Sequence, residues 1–279
     1  MAAVQYDHAY PLDNQEEVSR LGNQHDVIKD TTGGRLILAP IDFTASPLKI
    51  LDSGTADGTW IRDVAGLYPS IEHEFYGTDI KPAEFPVDPP KGTNYQVHDI
   101  NNPWPGDWEG RFDFVHQRLV LVAAGANQEN ALKSLGRLVR PGGWIQVMEA
   151  TNELPESCGP EMRKFVGVMN SVFQVMGADL KATERISEWL GEAGFVDIEH
   201  CTLPMKLGAQ NPDATLAQRG VFSTSTAAKG LAKFAKSLPP GTTDLSSEEL
   251  DTLGTGLEKE LMKVGGVYPL QAVWGRKPV

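Results

Sequence analysis

Short apolar runs alternate with stretches whose apolar residues recur at helical spacing, and this alternation repeats along the first half of the chain. Residues 47–51 form an extended apolar approach to Asp52, and 59–67 carry apolar positions three and four apart, stopping before Pro69. Residues 74–80 predict a second short strand ending in an acid, and 94–100 a third with a polar end. A fourth strand is expected over 110–118, then an amphipathic helix over 127–139 closed by Arg140-Pro141-Gly142-Gly143, then a fifth strand over 144–149. Strands separated by helices in this way predict an α/β fold built on a parallel, doubly wound sheet.

Beyond residue 150 the pattern turns mostly helical. Residues 159–177 and 211–265 form two helical blocks; 213–238 is Ala-rich and ends at Pro239-Pro240-Gly241, and 246–264 opens with Ser246 and Glu249 in capping-box spacing. Residues 188–195 look like a helix and turn leading into a sixth strand, and 268–276 like a seventh. Met162, Met169, Val172, Phe173 and Met176 recur near helical spacing, a stripe that suits either a core or the wall of a greasy pocket.

Charge then removes several classes of function. The chain has 279 residues with 25 Lys+Arg against 37 Asp+Glu, a net charge of −12, and no basic run offsets it, so a nucleic-acid partner is not expected. Residues 1–13 lack a basic-then-apolar signal pattern, and the longest apolar run, 119–126, is too short to span a bilayer. A cytoplasmic protein with no membrane partner is the expectation. Cys158 and Cys201 lack the spacing of a zinc site or a disulfide framework, so reduced thiols and no metal are expected.

The chemistry concentrates in I-L-D-S-G-T-A-D-G-T-W over residues 50–60, where an apolar strand ends in an acid, a small-residue turn and a helix start. Glycine has no Cβ, so such a turn can take unusual dihedrals and present its backbone to a ligand at the carboxyl end of a strand. A dinucleotide fingerprint requires G-x-G-x-x-G/A, whereas this chain has D-x-G-x-A-x-G with Thr59 in the last small position. That spacing resembles motif I of the class I S-adenosylmethionine-dependent methyltransferases, with Ala56 replacing the usual middle glycine. The later strand-end acids, F-D-F-V-H-Q-R over 112–118 and L-V-R-P-G-G-W over 138–144 follow in the order of that family. E-E-V-S-R-L-G-N-Q-H over 16–25 and G-G-R-L-I-L-A-P-I over 33–41 resemble the N-terminal arm of its fungal secondary-metabolism (LaeA-like) group. Within that group the turn S-G-T-A-D-G-T-W is most similar to the gliotoxin bis-thiomethyltransferase type.

The resemblance implies a Rossmann-like seven-stranded sheet whose last strand runs antiparallel between the fifth and sixth. It implies one methyltransferase domain over 1–279: an arm at 1–43, a cofactor-binding core at 44–150, helical cap insertions at 151–187 and 204–265, and C-terminal core strands at 188–203 and 266–279. S-adenosylmethionine is the implied cofactor, leaving as S-adenosylhomocysteine. Ser53, Gly54, Thr55 and Ala56 would hold its methionine part, Asp79 and Ile80 its ribose, and Asp99 and Ile100 its adenine. Gln117 and Arg118 would lie beside the transferred methyl, with Tyr10, Arg20, Gln24 and His25 in the lid and Phe173 and Met176 toward the substrate.

The implied reaction is S-methylation of dithiol groups on a gliotoxin-like epipolythiodioxopiperazine. Alternatives are an O- or N-methyltransferase of another fungal metabolite, or a LaeA-like regulatory protein on the same fold. A free thiol has a pKa of about 8.5, so a thiolate forms near neutrality without a dedicated base. A hydroxyl acceptor needs a base, for which His25 and His116 are the candidates, unless they only pack or cap. A small-molecule partner is expected, with the chain a monomer or weak dimer.

Overall fold

The computed structural model describes residues 14–279. Seven strands make one sheet in the order β3-β2-β1-β4-β5-β7-β6. These are β1 Lys49–Ser53, β2 Glu74–Asp79, β3 Thr93–Val97, β4 Phe112–Arg118, β5 Val139–Ala150, β6 Val196–Leu207 and β7 Gly266–Arg276. The pairs β1–β2, β1–β4, β2–β3 and β4–β5 are parallel, while β7 runs antiparallel to both β5 and β6. The seventh strand thus stands where the sequence resemblance implied.

Alternation along the central strands divides the interior in two, because successive side chains point to opposite faces. Ile50 and Phe114 join one core, Leu51 and Val115 the other. The first core is covered by α2 (Thr59–Leu67), α4 (Pro160–Val175), α6 (Ala214–Ser237) and α7 (Ser247–Lys263), with α1 (Asn14–Thr31) packed against α6. The second is covered by α3 (Gln128–Arg137) and α5 (Ala182–Glu192), through Leu132, Leu135, Ile186 and Trp189. The cap helices α4, α6 and α7 follow β5 and β6, so they gather at one half of the sheet.

Three boundaries differ from the sequence expectation. β3 stops at Val97, which leaves Asp99 and Ile100 on the loop beyond it rather than on the strand. The segment Arg140-Pro141-Gly142-Gly143 does not close α3; it lies within β5. Val139 pairs with Phe112, the Gly142 N–H bonds Lys277 O at 2.8 Å, and Arg140 pairs with Asp113, so neighbouring strands capture the turn. β6 runs on to Leu207, past the point where the second insertion was expected to begin.

Candidate active site

The turn after β1 is open because its residues take conformations that most side chains forbid. Gly54, Ala56 and Gly58 have φ of 73°, 49° and 74°. A Cβ on Gly54 would collide with the Val120 side chain, and one on Gly58 with the Tyr95 hydroxyl. Ala56 takes the left-handed region despite its methyl, at a cost of about 1 kcal/mol. Compensation comes from Asp79: its Oδ2 accepts the Ala56 N–H at 2.9 Å, and its Oδ1 accepts the Lys81 N–H at 3.2 Å. The Gly54 and Thr55 N–H groups bond Thr78 O at 2.8 and 2.9 Å, tying the turn to the end of β2.

A cavity of about 510 Å³ opens along the carboxyl ends of the parallel strands, the place where sheets of this kind bind ligands. Its polar half is lined by Gly54, Thr55, Ala56, Asp79 and Ile80, and by Asp99 and Ile100 from the loop after β3. Its apolar half lies over β5 and β7, under the cap, between Phe165, Met169, Phe173, Met205, Phe234 and Tyr268. Arg20, Gln24 and His25 bring α1 to the wall, and Met176 joins Phe173 from α4 and its end. Met162 from the same stripe is fully buried core.

Strand alternation explains why two of the expected residues stand elsewhere. His116 and Arg118 line the cavity, whereas Gln117 between them points to the opposite face, where its Oε1 accepts the Ser53 hydroxyl at 3.2 Å. Gln117 and Ser53 are both buried and neither lines the cavity. Tyr10 lies outside the described residues.

The two histidines are held differently. His116 donates from Nδ1 to Asp52 Oδ1 at 2.7 Å and stacks on Trp60 with centroids 4.0 Å apart and planes within 5°. Burial pushes its pKa down, assisted by Arg118 and opposed by Asp52. His25 accepts from Arg118 Nη2 at Nδ1, 3.0 Å away, and donates from Nε2 to Asp63 Oδ2 at 3.1 Å. Lys29 completes this network on Asp63 at 2.6 Å. Both ring nitrogens of His25 are therefore engaged, and burial followed by the Arg118 charge lowers its pKa to about 4.

One residue at the site shows in the sequence only as the end of a strand. Glu149 closes β5, and its Oε1 accepts the N–H groups of Val120 and Leu121 at 2.9 and 2.8 Å. It lines the cavity, and burial pushes its pKa up to about 7, against the pull of those two N–H groups. Tyr268 on β7 lies beside it, donating to Met169 Sδ at 3.6 Å; burial and then the Glu149 charge raise the phenol pKa. An acid at a strand end is the signal that singled out Asp79, and it was equally present in M-E-A over 148–150.

Comparison with known proteins agrees with this architecture. Residues 6–204 match the model of a methyltransferase domain. The chain is 35% identical over 273 residues to the N-methyltransferase sirN of Leptosphaeria maculans, covering 96% of this chain and 95% of that protein. It is 34% identical over 273 residues to the N-methyltransferase gliN of Aspergillus fumigatus, covering 94% of each. Among solved structures, Haemonchus contortus phosphoethanolamine N-methyltransferase 2 in complex with S-adenosyl-L-methionine superposes with a TM-score of 0.56 at 15% identity, over 98% of this chain and 59% of that one. The likeness extends to the cyclopropane synthase MmaA2 of Mycobacterium tuberculosis, at a TM-score of 0.52 and 14% identity over 90% and 84% of the two chains, which shows the shared fold. With the glycine turn, the strand-end acids and the sheet order on one side and these relatives on the other, the chain belongs to the class I methyltransferase-domain family, beside fungal proteins such as sirN and gliN.

Proposed function

We propose that the protein transfers the methyl group of S-adenosylmethionine to a nitrogen of a small, largely apolar secondary metabolite of the epipolythiodioxopiperazine type. The residues of the polar half fit such a donor. The turn backbone is bare where a Cβ at Gly54 would collide, Asp79 keeps lone pairs free beyond its two backbone bonds, and the buried His98 Nε2 beside Asp99 has no partner among the described residues. Bound there, the donor supplies an electrophilic methyl on a sulfonium. The protein's own contribution is to hold that methyl against an acceptor in a water-poor space, which is the larger part of catalysis for an in-line displacement.

The observation that carries the reading is the division of one cavity into a polar half over β1–β3 and an apolar half under the cap, with the end of β4 between them. Nitrogen is favoured as acceptor because sirN and gliN, and also tcpN and verN at 34% and 33% identity, are named N-methyltransferases. A diketopiperazine core presents amide N–H groups as well as thiols. Thiol transfer to the same scaffold is the second reading, favoured by the sulfur-rich wall of Met169, Met176 and Met205. Two probes separate them: a bis-S-methyl diketopiperazine with free amide N–H, and a reduced dithiol whose nitrogens already carry methyl groups. A 14-dalton gain on the first, with fragmentation placing it on nitrogen, is the expected result; turnover of the second alone overturns the nitrogen assignment.

A further inference from the structure

Glu149 stands in the apolar half of the cavity, on the strand next to β4, whose end divides the two halves. β5 is two strands from β1, so the end of β5 lies roughly 10 Å across the sheet from the glycine turn. Between them runs the loop after β4, where Leu119 takes a φ of 56° and Val120 and Leu121 donate to Glu149 Oε1. Anchoring that loop occupies one carboxylate oxygen. The other, Oε2, accepts no hydrogen bond from the described residues, and the side chain lines the same cavity as Phe165, Met169 and Tyr268. A buried carboxylate with an open oxygen is costly unless a bound molecule completes it.

We propose that Glu149 is a catalytic residue whose Oε2 accepts the proton of the acceptor's N–H as that nitrogen is methylated, an assignment that rests on the nitrogen reading above. The acceptor nitrogen gains its bond to the methyl carbon while the carbon–sulfur bond of the donor breaks, and the electron pair of that bond stays on sulfur. The nitrogen's proton passes to Glu149, which releases it to water after the products leave. A sulfonium cation and a carboxylate anion thus become a neutral thioether and a neutral carboxylic acid. Loss of both charges together is favoured where the dielectric is low, as it is here. A thiolate, by contrast, would bring a second anion against the same carboxylate. The depressed acidity of Glu149 fits a base that works near neutral pH, and Tyr268, the titratable group coupled to it from β7, stays protonated throughout that range.

Glu149→Gln tests the assignment, because the amide oxygen still accepts from Val120 and Leu121 while the base is lost. On the bis-S-methyl N–H probe, kcat is expected to fall about a hundredfold or more. The acid limb of the wild-type pH profile, centred near 7, is expected to vanish. S-adenosylhomocysteine affinity by calorimetry should stay within about threefold and the melting temperature within a few degrees if the loop anchor survives. A variant that keeps a third or more of wild-type kcat with the same acid limb overturns the proposal and leaves Glu149 a loop anchor. If the glutamine variant fails to fold, Glu149→Asp withdraws the carboxyl by one methylene, and unchanged kcat in that variant overturns it equally. Failure of the nitrogen reading is separate and visible in the wild-type enzyme, as a methyl found only on sulfur.

Discussion

His25 carries its proton on Nε2 because its two ring nitrogens face unlike partners, a guanidinium that can only donate and a carboxylate that accepts. A folded-state pKa near 4 against an ordinary 6.5 means that the unfolded chain binds a proton the folded chain refuses. The stability that His25 contributes is therefore complete above about pH 6.5 and is lost as pH falls toward 4, by roughly 2 kcal/mol between pH 7 and pH 5. Glu149, its carboxyl pKa raised to about 7, contributes with the opposite sign over that interval, so the His25 part is read as a difference. His25→Gln should lose less stability than the wild type between pH 7 and pH 5; parallel urea-midpoint curves for the two proteins would sink this account. At this scale the sequence was partly legible. Gly54, Asp79 and Asp99 stand out by residue type at or just after strand ends, and all three line the cavity. Whether His25 is a base or a strut depends on Arg118 and Asp63, 93 and 38 positions away, and no local pattern holds that information.

Two helix starts show the same contrast among the elements. α7 is capped from its own sequence: Ser246 Oγ accepts the Glu249 N–H at 3.3 Å while Glu249 Oε2 accepts the Ser246 N–H at 2.9 Å. The box was readable in advance because it is closed within four residues. α4 begins after Gly159, which has no side chain to cap with. Its first N–H groups, on Glu161 and Met162, instead bond Glu260 of α7 at 2.9 Å each. Ser246→Ala should cost about 1 kcal/mol of unfolding free energy, as caps do. Glu260→Ala should cost more, about 2 kcal/mol, because it strips two N–H groups at a helix–helix contact. Chemical denaturation of both variants checks the order, and a smaller loss for Glu260→Ala would contradict the tertiary cap.

The whole molecule separates a polar from an apolar half of the cavity along the sheet, with β2 and β3 at one end and β5 and β7 at the other, and on the proposed function these take donor and acceptor. Substitutions should separate likewise. Asp99→Ala is expected to weaken S-adenosylhomocysteine binding about tenfold with little change in acceptor KM, since one lost charge-assisted hydrogen bond is worth ~1.5 kcal/mol or more. Phe173→Ala is expected to raise acceptor KM by a similar factor through lost apolar contact while donor affinity holds. Calorimetry and steady-state kinetics read the two halves independently, and equal effects of both variants on both ligands would show that the halves are not distinct. The α1 arm joins them: Arg219 of α6 pairs with Asp26, and Asn211 donates to Asp30 at 3.0 Å, so the arm that carries His25 is fastened to the cap as well as to α2.

The sequence by itself determined the strand-and-helix alternation, the glycine turn and its distinction from a dinucleotide fingerprint, because each rests on periodicity or backbone freedom within about ten residues. Only the tertiary structure decided which face of β4 meets the cavity, and with it that His116 and Arg118 line the site while Gln117 and Ser53 back it. It also decided that Glu149, one acid among 37 acidic residues, closes a strand beside an apolar chamber built from helices up to 85 positions away. Burial and the company of distant side chains give a carboxylate its chemistry, and both exist only after the chain has folded.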